Sequence, residues 1–428
     1  MLIVYFKQAW HTIRQNKLFS AVYIGGTALA LSFTMLYGMI FYIKLAPFYP
    51  EYERNRTAYI ETAVLTSKDS YDNWHQANLS LNFVRTWFYN LKTADKVSAQ
   101  YNEYSGGKTK DVDGQNISVA LKLTDPTFFE IYRLDFTDGK PFSRADFDSG
   151  VKVAVISSAL AKKVFGADYV NAVGKTLSVN FIDYRIVGVF SPGSAIHKKS
   201  YGEVIIPYTA VSDSNKDREV LGNYELVITT DNIDALKAEV QEIKRRYNST
   251  HADEDLHLFD QPDLHVVSNL KGGPTKMGFD IWDMVLGILP ALLGLLLIPA
   301  MNLSGMIAGR MEMRQPELGL RKSFGATRIQ LLNQILCENL LLTLIGGFIA
   351  LVITWGFIAG MADWIFGSML SFYRVSATGA NITADMLFSP GAFVIMFLIC
   401  MLLNVMSALI PAWNSLRRPI IKSLKDNA

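Results

Sequence analysis

Gly174-Lys175-Thr176 has the ending of a phosphate-binding loop. Such a loop needs a glycine five residues before its last one and a helix after the threonine. Tyr169 stands at that position and the Leu-Ser-Val-Asn that follows is strand-like, so the motif predicts no nucleotide site. The histidines are His11, His75, His197, His251, His257 and His265, and no HExxH occurs. His251, His257 and His265 are loosely spaced among carboxylates and read as surface residues rather than a metal set. No Gly-x-Ser-x-Gly elbow is present. Cys337 and Cys400 fall in or beside apolar stretches, with no basic neighbour to stabilise a thiolate. Asn302 and Asn404 sit within apolar windows, where amides act as bonds between helices. No catalytic, cofactor-binding or metal-ligating residue emerges, and any ATP-driven work needs another subunit.

The specific signal is a docking element at Arg314 to Arg328. Pro316 suits a first helical position and Gly325 a C-terminal stop. Glu317 near the start, and Arg321 with Lys322 near the end, complement the helix dipole, and Glu317–Arg321 is an i,i+4 pair. Leu320 and Phe324 form an i,i+4 apolar knob. Thr327 and Gln330 make a capping box that opens the next helix, with Arg328 at its start. Nine residues give a rod of about 13 Å. An amphipathic stub held between apolar helices has the form of a handle for a cytoplasmic partner.

Those helices are predicted from four uncharged windows: 18–43, 284–309, 339–362 and 386–416, the last with its span at 388–413. A bilayer core takes about 20 helical residues, and in lipid the backbone satisfies itself only as helix. No Asp, Glu, Lys or Arg lies in any span core, which disfavours a proton- or ion-coupled carrier. Orientation follows from the basic residues at 1–17, 310–337 and the 414–428 tail, which share one side and predict cytoplasmic termini. The loop 363–385 and the large region 45–283 then face outside. Residues 1–17 carry Ile3, Phe6, Trp10 and Ile13 at helical spacing, an amphipathic helix on the inner leaflet. Ala28-Leu29-Ala30 imitates a cleavage site, but the apolar run continues beyond it, so an uncleaved anchor is expected.

Region 45–283 contains no cysteine and must be stabilised by a core. Thr57 to Val64, Leu81 to Leu91 and Lys96 to Tyr104 read as strand, helix and strand. The same rhythm returns with Tyr224 to Thr229, a helix over Ile233 to Tyr247, and Leu256 to Phe259. Two βαβ halves, 57–104 and 222–268, predict a ferredoxin-like unit interrupted by a strand-rich insertion at 105–221. The expected fold class is therefore an α-helical membrane protein with four transmembrane helices and a large α+β external domain. Lys and Arg number 41 against 39 acids among 428 residues, a net +2. That balance gives no basic face for nucleic acid.

Glu317-Leu-Gly-Leu-Arg-Lys-Ser-Phe-Gly-Ala-Thr-Arg328 and its continuation to Gly347 resemble the signature of the FtsX/MacB-type ABC transporter permeases. Asn16-Lys17-Leu18-Phe19-Ser20, Asp125-Pro-Thr-Phe-Phe-Glu-Ile-Tyr132, Val153 to Ser157, Phe165-Gly166, Val173-Gly-Lys175, Tyr184 to Val189, Pro411-Ala412 and Pro419 to Leu424 extend the resemblance along the chain. It implies a non-catalytic permease subunit of a bacterial inner membrane, paired with a second, identical or different permease over an ABC ATPase dimer. ATP and Mg would bind on the ATPase, expected to be a separate chain because only 17 residues precede the first span. The 316–324 helix would be the coupling helix, with Glu317, Leu320, Arg321, Lys322, Phe324, Gly325 and Arg328 at the contact. The halves 57–104 and 222–268 would be porter-like, the insertion Sabre-like, and 45–283 periplasmic. The resemblance further implies mechanotransmission: ATP-driven motion passed to the external domain, for efflux of antimicrobial peptides, macrolides or other toxic compounds. A periplasmic adaptor and an outer-membrane exit protein would complete such a pump. Activation of a cell-wall hydrolase in the FtsX manner, and lipoprotein extraction in the LolE manner, are the other functions on this architecture.

Overall fold

The computed structural model describes residues 10–11, 14, 17–68, 74–103, 106–211, 219–271, 282, 286, 305, 309, 315–370, 386 and 389–417. The chain divides into two compact units: residues 1–42, 285–361 and 387–428 form one, and 43–284 with 362–386 the other. Most of the expected inner-leaflet helix and of the window 284–309 lie outside the described residues, as do 371–385 of the expected loop and the tail beyond 417, whereas residues 363–370, expected to begin that loop, are helical.

Helix α1 runs Lys17–Leu45, and its last turn is counted with the second unit. There follow β1 (Thr57–Ile60), β2 (Ala63–Ser67), β3 (Trp74–Leu79), the helical turn α2 (Leu81–Phe83), β4 (Lys96–Asn102), β5 (Gly107–Lys110), β6 (Asn116–Val119) and β7 (Leu121–Thr124). Then come α3 (Phe128–Ile131), β8 (Phe136–Gly139), α4 (Arg144–Asp148), β9 (Val153–Ser157), α5 (Ser158–Phe165), β10 (Thr176–Val179), β11 (Ile182–Phe190) and β12 (Val204–Pro207). The unit continues through β13 (Leu221–Gly222), β14 (Glu225–Thr229), α6 (Ile233–Thr250), β15 (Glu254–His257), β16 (Asp263–Leu264) and α7 (His265–Leu270).

The main sheet has the order β10-β11-β9-β12-β7-β4-β14-β1-β16, with β8 paired to β11. Its β16-β1-β14-β4 end, with helical turns after β1 and a long helix after β14, has the split βαβ arrangement. Two details differ from the sequence reading. The expected strand 57–64 breaks at Glu61 and Thr62, whose N–H groups both donate to the Gln261 side chain (2.6 and 3.4 Å). Gln261 in turn donates to the Thr62 carbonyl at 2.7 Å, so one amide secures the bend that sends β2 into a second sheet. The expected closing strand at 256–259 is β15, which pairs with β2 in that second sheet. The neighbour of β1 is instead β16. Phe259 and Asp260 both have left-handed φ (48° and 62°) and turn the chain between β15 and β16. The 105–221 strands continue the main sheet through β4–β7 pairing, so no sheet edge marks the start of the insertion.

Local sequence explains the best-defined elements. Asn232 caps α6 by accepting from the Ala235 N–H at 3.0 Å. Leu236, Val240, Ile243 and Tyr247 are buried along α6, at the steps expected of one core-facing stripe. Strand β9 is buried at every residue, as a central strand covered on both faces must be.

In the other unit, α8 (Gln315–Ser323) precedes α9 (Arg328–Leu370) and α10 (Pro390–Arg417). Within the described residues, Ser20–Leu45 and Arg328–Met361 are long and apolar enough to cross a membrane, and Pro390–Ile399 is a shorter apolar stretch. In the most apolar stretch of each long segment only 33% and 39% of the residues are buried, unlike the core helices of a globular protein. Small residues let these helices approach. A Cβ at Gly346 would meet the Ile24 carbonyl and Thr27 of α1 at 3.2 Å, and one at Gly347 would collide with the Phe397 ring of α10. Thr354 donates to the Ser32 carbonyl at 3.1 Å, a hydrogen bond between α9 and α1. Met361 has non-helical φ and ψ (−125° and 21°), a kink in α9 at the far end of its apolar stretch.

Candidate functional site: the stub between the apolar helices

Helix α8 ends by backbone geometry alone. Gly325 takes φ 92°, its N–H bonds the Lys322 carbonyl at 3.0 Å, and the Ala326 N–H bonds the Arg321 carbonyl at 3.0 Å. That pair of bonds is a Schellman stop, and the left-handed φ is why glycine stands there. Two residues on, the Thr327 N–H donates to Gln330 Oε1 at 3.0 Å and Thr327 Oγ1 accepts from the Gln330 N–H at 3.3 Å. This reciprocal cap opens α9, so stub and long helix are joined by a tight, fully bonded turn.

The faces of α8 differ sharply. Leu318 is buried, within a cluster made of Tyr23, Leu331, Ile335, Leu342 and Ala412, and Ala326 packs against the same cluster. Leu320 is 53% exposed and Phe324 84%. Gly325, Arg328 and Ile329 are exposed as well, extending an open surface across the turn. Glu317 accepts from Arg321 at 2.7 Å. The other partner of Arg321 is Gln334, whose Oε1 accepts from Nη1 at 2.7 Å. Gln334 donates onward to Glu338 at 3.4 Å, and both of these side chains are buried. Lys322 is held below the usual lysine range, by partial burial first and by the Arg328 guanidinium second. The stub thus offers a protruding apolar pair beside cations, while Leu318 and Arg321 bind it to the helices behind. Such a surface has the composition of a protein contact, an exposed apolar pair ringed by charge.

Residues 20–244 match the family model of the MacB-like periplasmic core domain, and residues 289–420 that of the FtsX-like permease C-terminal. The chain belongs to the MacB/FtsX family of ABC transporter permeases. It is 25% identical over 276 residues to the uncharacterized ABC transporter permease YknZ of Bacillus subtilis, covering 64% of this chain and 63% of that protein. With the macrolide export ATP-binding/permease protein MacB of Photorhabdus laumondii it shares 25% over 349 residues, 78% of this chain and 49% of the relative. The chain therefore spans less than two thirds of the length of either relative. Among solved structures, the extracellular domain of YknZ aligns with 46% of this chain and all of that domain, at 19% identity and a TM-score of 0.34. The periplasmic region of MacB from Actinobacillus actinomycetemcomitans aligns at 18% identity, covering 46% of this chain and 87% of that one, also at TM-score 0.34.

Of the seven stub residues expected at a permease's partner contact, Leu320, Phe324, Gly325 and Arg328 face outward together. Glu317 and Arg321 are half-buried and bonded to each other, Arg321 also reaching inward to Gln334. Leu318, Gln334 and Glu338 were not singled out in the sequence. The available signal was Gln334 and Glu338 at i,i+4, two polar side chains at the foot of an apolar helix.

The other sequence candidates fall elsewhere. Gly174 has φ 88°, strand β10 begins at Thr176, and Lys175 is ion-paired with Asp168, with Nζ 4.9 Å from the Phe165 ring. His251 pairs with Glu219 at 2.7 Å and His257 with Thr66 at 3.0 Å. His265 is not a surface residue: it is 3% exposed, with Nδ1 3.1 Å from the Tyr59 hydroxyl and Nε2 3.2 Å from the Lys44 carbonyl. Its surroundings are set by sheet pairing two hundred residues away, which the local sequence does not reveal. The Asn302 and Asn404 side chains lie outside the described residues.

Proposed function

We propose that this chain is the four-span permease subunit of a mechanotransmission ABC transporter in a bacterial inner membrane, with its termini cytoplasmic and 45–283 periplasmic. A separate ABC ATPase dimer grips the α8 stub beneath a pair of permeases, and hydrolysis there moves the external domain. The observation that carries this reading is the division of α8 into an exposed Leu320–Phe324 knob and a bound Leu318–Arg321 face. An idle interfacial helix has no need of an inward arginine bonded to the next helix. Spans without core charges suit levers better than an aqueous pore. The macrolide export named in several relatives supports efflux of toxic compounds, antimicrobial peptides or macrolides among them, as the work done. ATP and Mg belong to the ATPase; this chain supplies no catalytic group.

Affinity purification of the full chain from native membranes tests the reading. An ABC ATPase is expected among the retained proteins, together with a second permease and, for efflux, an adaptor and an exit protein. Retention of a cell-wall hydrolase or a lipidated protein in place of the adaptor would move the function to the FtsX or LolE manner. A purified assembly that holds no ATPase and hydrolyses no ATP would overturn the proposal.

A further inference from the structure

Glu51 has a side chain only 1% exposed, in a domain whose chain comes in at residue 43 and runs out after α7. Three separate stretches converge on it. From the incoming stretch, Arg54 Nε donates to Glu51 Oε2 at 2.8 Å, while Arg54 Nη1 donates to the Lys44 carbonyl at 3.1 Å and to the Ala46 carbonyl. Those carbonyls lie at the C-terminal end of α1, where a cation is favoured and unpaired acceptors need partners. From the inserted segment, Ser200 donates to Glu51 Oε1 twice, through its hydroxyl at 2.7 Å and its N–H at 3.1 Å. From the outgoing stretch, His265 at the start of α7 places Nδ1 4.0 Å from Glu51 Oε2. The same ring contacts the Lys44 carbonyl through Nε2. His197 adds a second tie, with Nδ1 3.2 Å from the Tyr49 carbonyl and its ring stacked on Phe48.

A buried ion pair is a poor device for stability alone, since apolar residues of the same volume serve as well or better. Its use is geometric, because a desolvated carboxylate with fixed donors tolerates few arrangements. We propose that Glu51 is a positioning residue for force transmission, holding the end of α1, the 194–201 loop and the α7 segment as one rigid piece. Motion of α1 then cannot be absorbed by slack at residues 45–54. The mechanical consequence rests on the proposed coupling to an ATPase; the rigid three-way joint does not.

The test is hydrogen exchange on the full chain in lipid nanodiscs, comparing wild type with Glu51→Gln and Ser200→Ala. Glu51→Gln keeps the side-chain shape but leaves Arg54 without a counter-charge. Exchange is expected to accelerate on the order of 100- to 1,000-fold, the scale for stranding one partner of a buried pair. The acceleration should appear together at 44–48 and 265–270, while β9 and β14 keep their protection. Ser200→Ala removes one hydroxyl outside both stretches and should raise exchange in the same two places by a smaller factor. It also decides the matter if Glu51→Gln fails to fold. Changes confined to the neighbours of the substituted residue, or none, would overturn the joint. In the ATPase-bound complex, Glu51→Gln should hydrolyse ATP yet lose nucleotide-dependent exchange changes in the external unit. Persistence of those changes would overturn the transmission role. Absence of any ATPase would defeat the coupling reading and leave the exchange result to judge the joint.

Discussion

Phe324 separates docking from folding. Its side chain is 84% exposed, and the backbone N–H is already bonded to the Leu320 carbonyl at 3.2 Å. Truncation to alanine should therefore change the stability of the chain by no more than about 0.5 kcal/mol, as for most exposed sites. If the ring is buried by an ATPase, the same truncation removes about 1.5–3 kcal/mol of transfer free energy. That corresponds to roughly 10- to 150-fold weaker binding. Phe324→Asp adds the cost of desolvating a carboxylate and should abolish binding. Leu318→Ala is the counterpart: it empties a buried site in the α8–α9 cluster and should cost about 2–5 kcal/mol of stability. The assay is titration of the co-purified ATPase onto each variant in nanodiscs, with thermal unfolding of the same samples and permease-stimulated hydrolysis. The expected pattern is a crossed one. Phe324→Asp keeps its unfolding temperature and loses partner and stimulation, whereas Leu318→Ala loses stability. Wild-type affinity and stimulation in Phe324→Asp would refute the assignment of the knob, whatever Leu318→Ala does.

Lys199 stands between two carboxylates, bonded to Glu225 at 2.8 Å and paired with Glu61. Lys199→Met should lower stability by about 3 kcal/mol by leaving two acids facing each other, and Glu61→Gln in the same chain should restore part of it, measured by urea unfolding. Burial, offset by nearby Glu51, pushes His197 down to about 4, so between pH 6.5 and 4 the unfolded chain takes up a proton that the folded chain refuses. Its contribution is present above pH 6.5 and is lost as pH falls through that window, about 3 kcal/mol in all, and His197→Gln should flatten the pH dependence of thermal unfolding there. Burial of Glu51 is outweighed by Arg54 and the two histidines, which hold it at about 2, so its contribution is lost from pH 4.5 downward. His265 and His257, also pushed down by burial, titrate below pH 6.5 as well, so His197→Gln should remove only its own share of the slope. Gly347→Val should force α9 and α10 apart at a cost of about 1–3 kcal/mol, with Phe397→Ala recovering stability in the double variant; a tolerated Gly347→Val would refute the close approach.

The stub was legible because its determinants are local. A glycine stop, a threonine–glutamine cap and an i,i+4 ion pair act over four residues, and each forms the bond its spacing predicts. The helix α6 was legible for the same reason, since its periodicity and its cap sit in one short window. What escaped depends on distant pairing. Nothing within residues 57–64 announces a break, because the group that bends the chain is Gln261. Strand β16 is two residues long and is a strand only because β1 lies beside it. Likewise Arg321 reads as an exposed member of a basic cluster until Gln334, thirteen residues on, is brought beneath it.

Arg321 and Arg54 make the same physical point at different sites. By sequence Arg321 is one of the cations counted when orientation is assigned, and Arg54 a cation a few residues beyond an apolar segment. In the structure neither is merely a marker of the aqueous side. Arg321, paired with Glu317 on its own helix, joins α8 to the foot of α9 through Gln334. Arg54 joins the end of α1 to Glu51, and through it to the 194–201 loop and α7. A guanidinium suits this task because its planar fork can bond a carboxylate and other acceptors at once, where an ammonium offers a single point. Arg321→Lys and Arg54→Lys would keep every charge used to orient the chain. If the arginines act only as charges, both lysine variants should stimulate a bound ATPase and exchange their amides as wild type does. If they act as ties, each should loosen its own joint while insertion stays correct, which is the outcome the bond geometry requires.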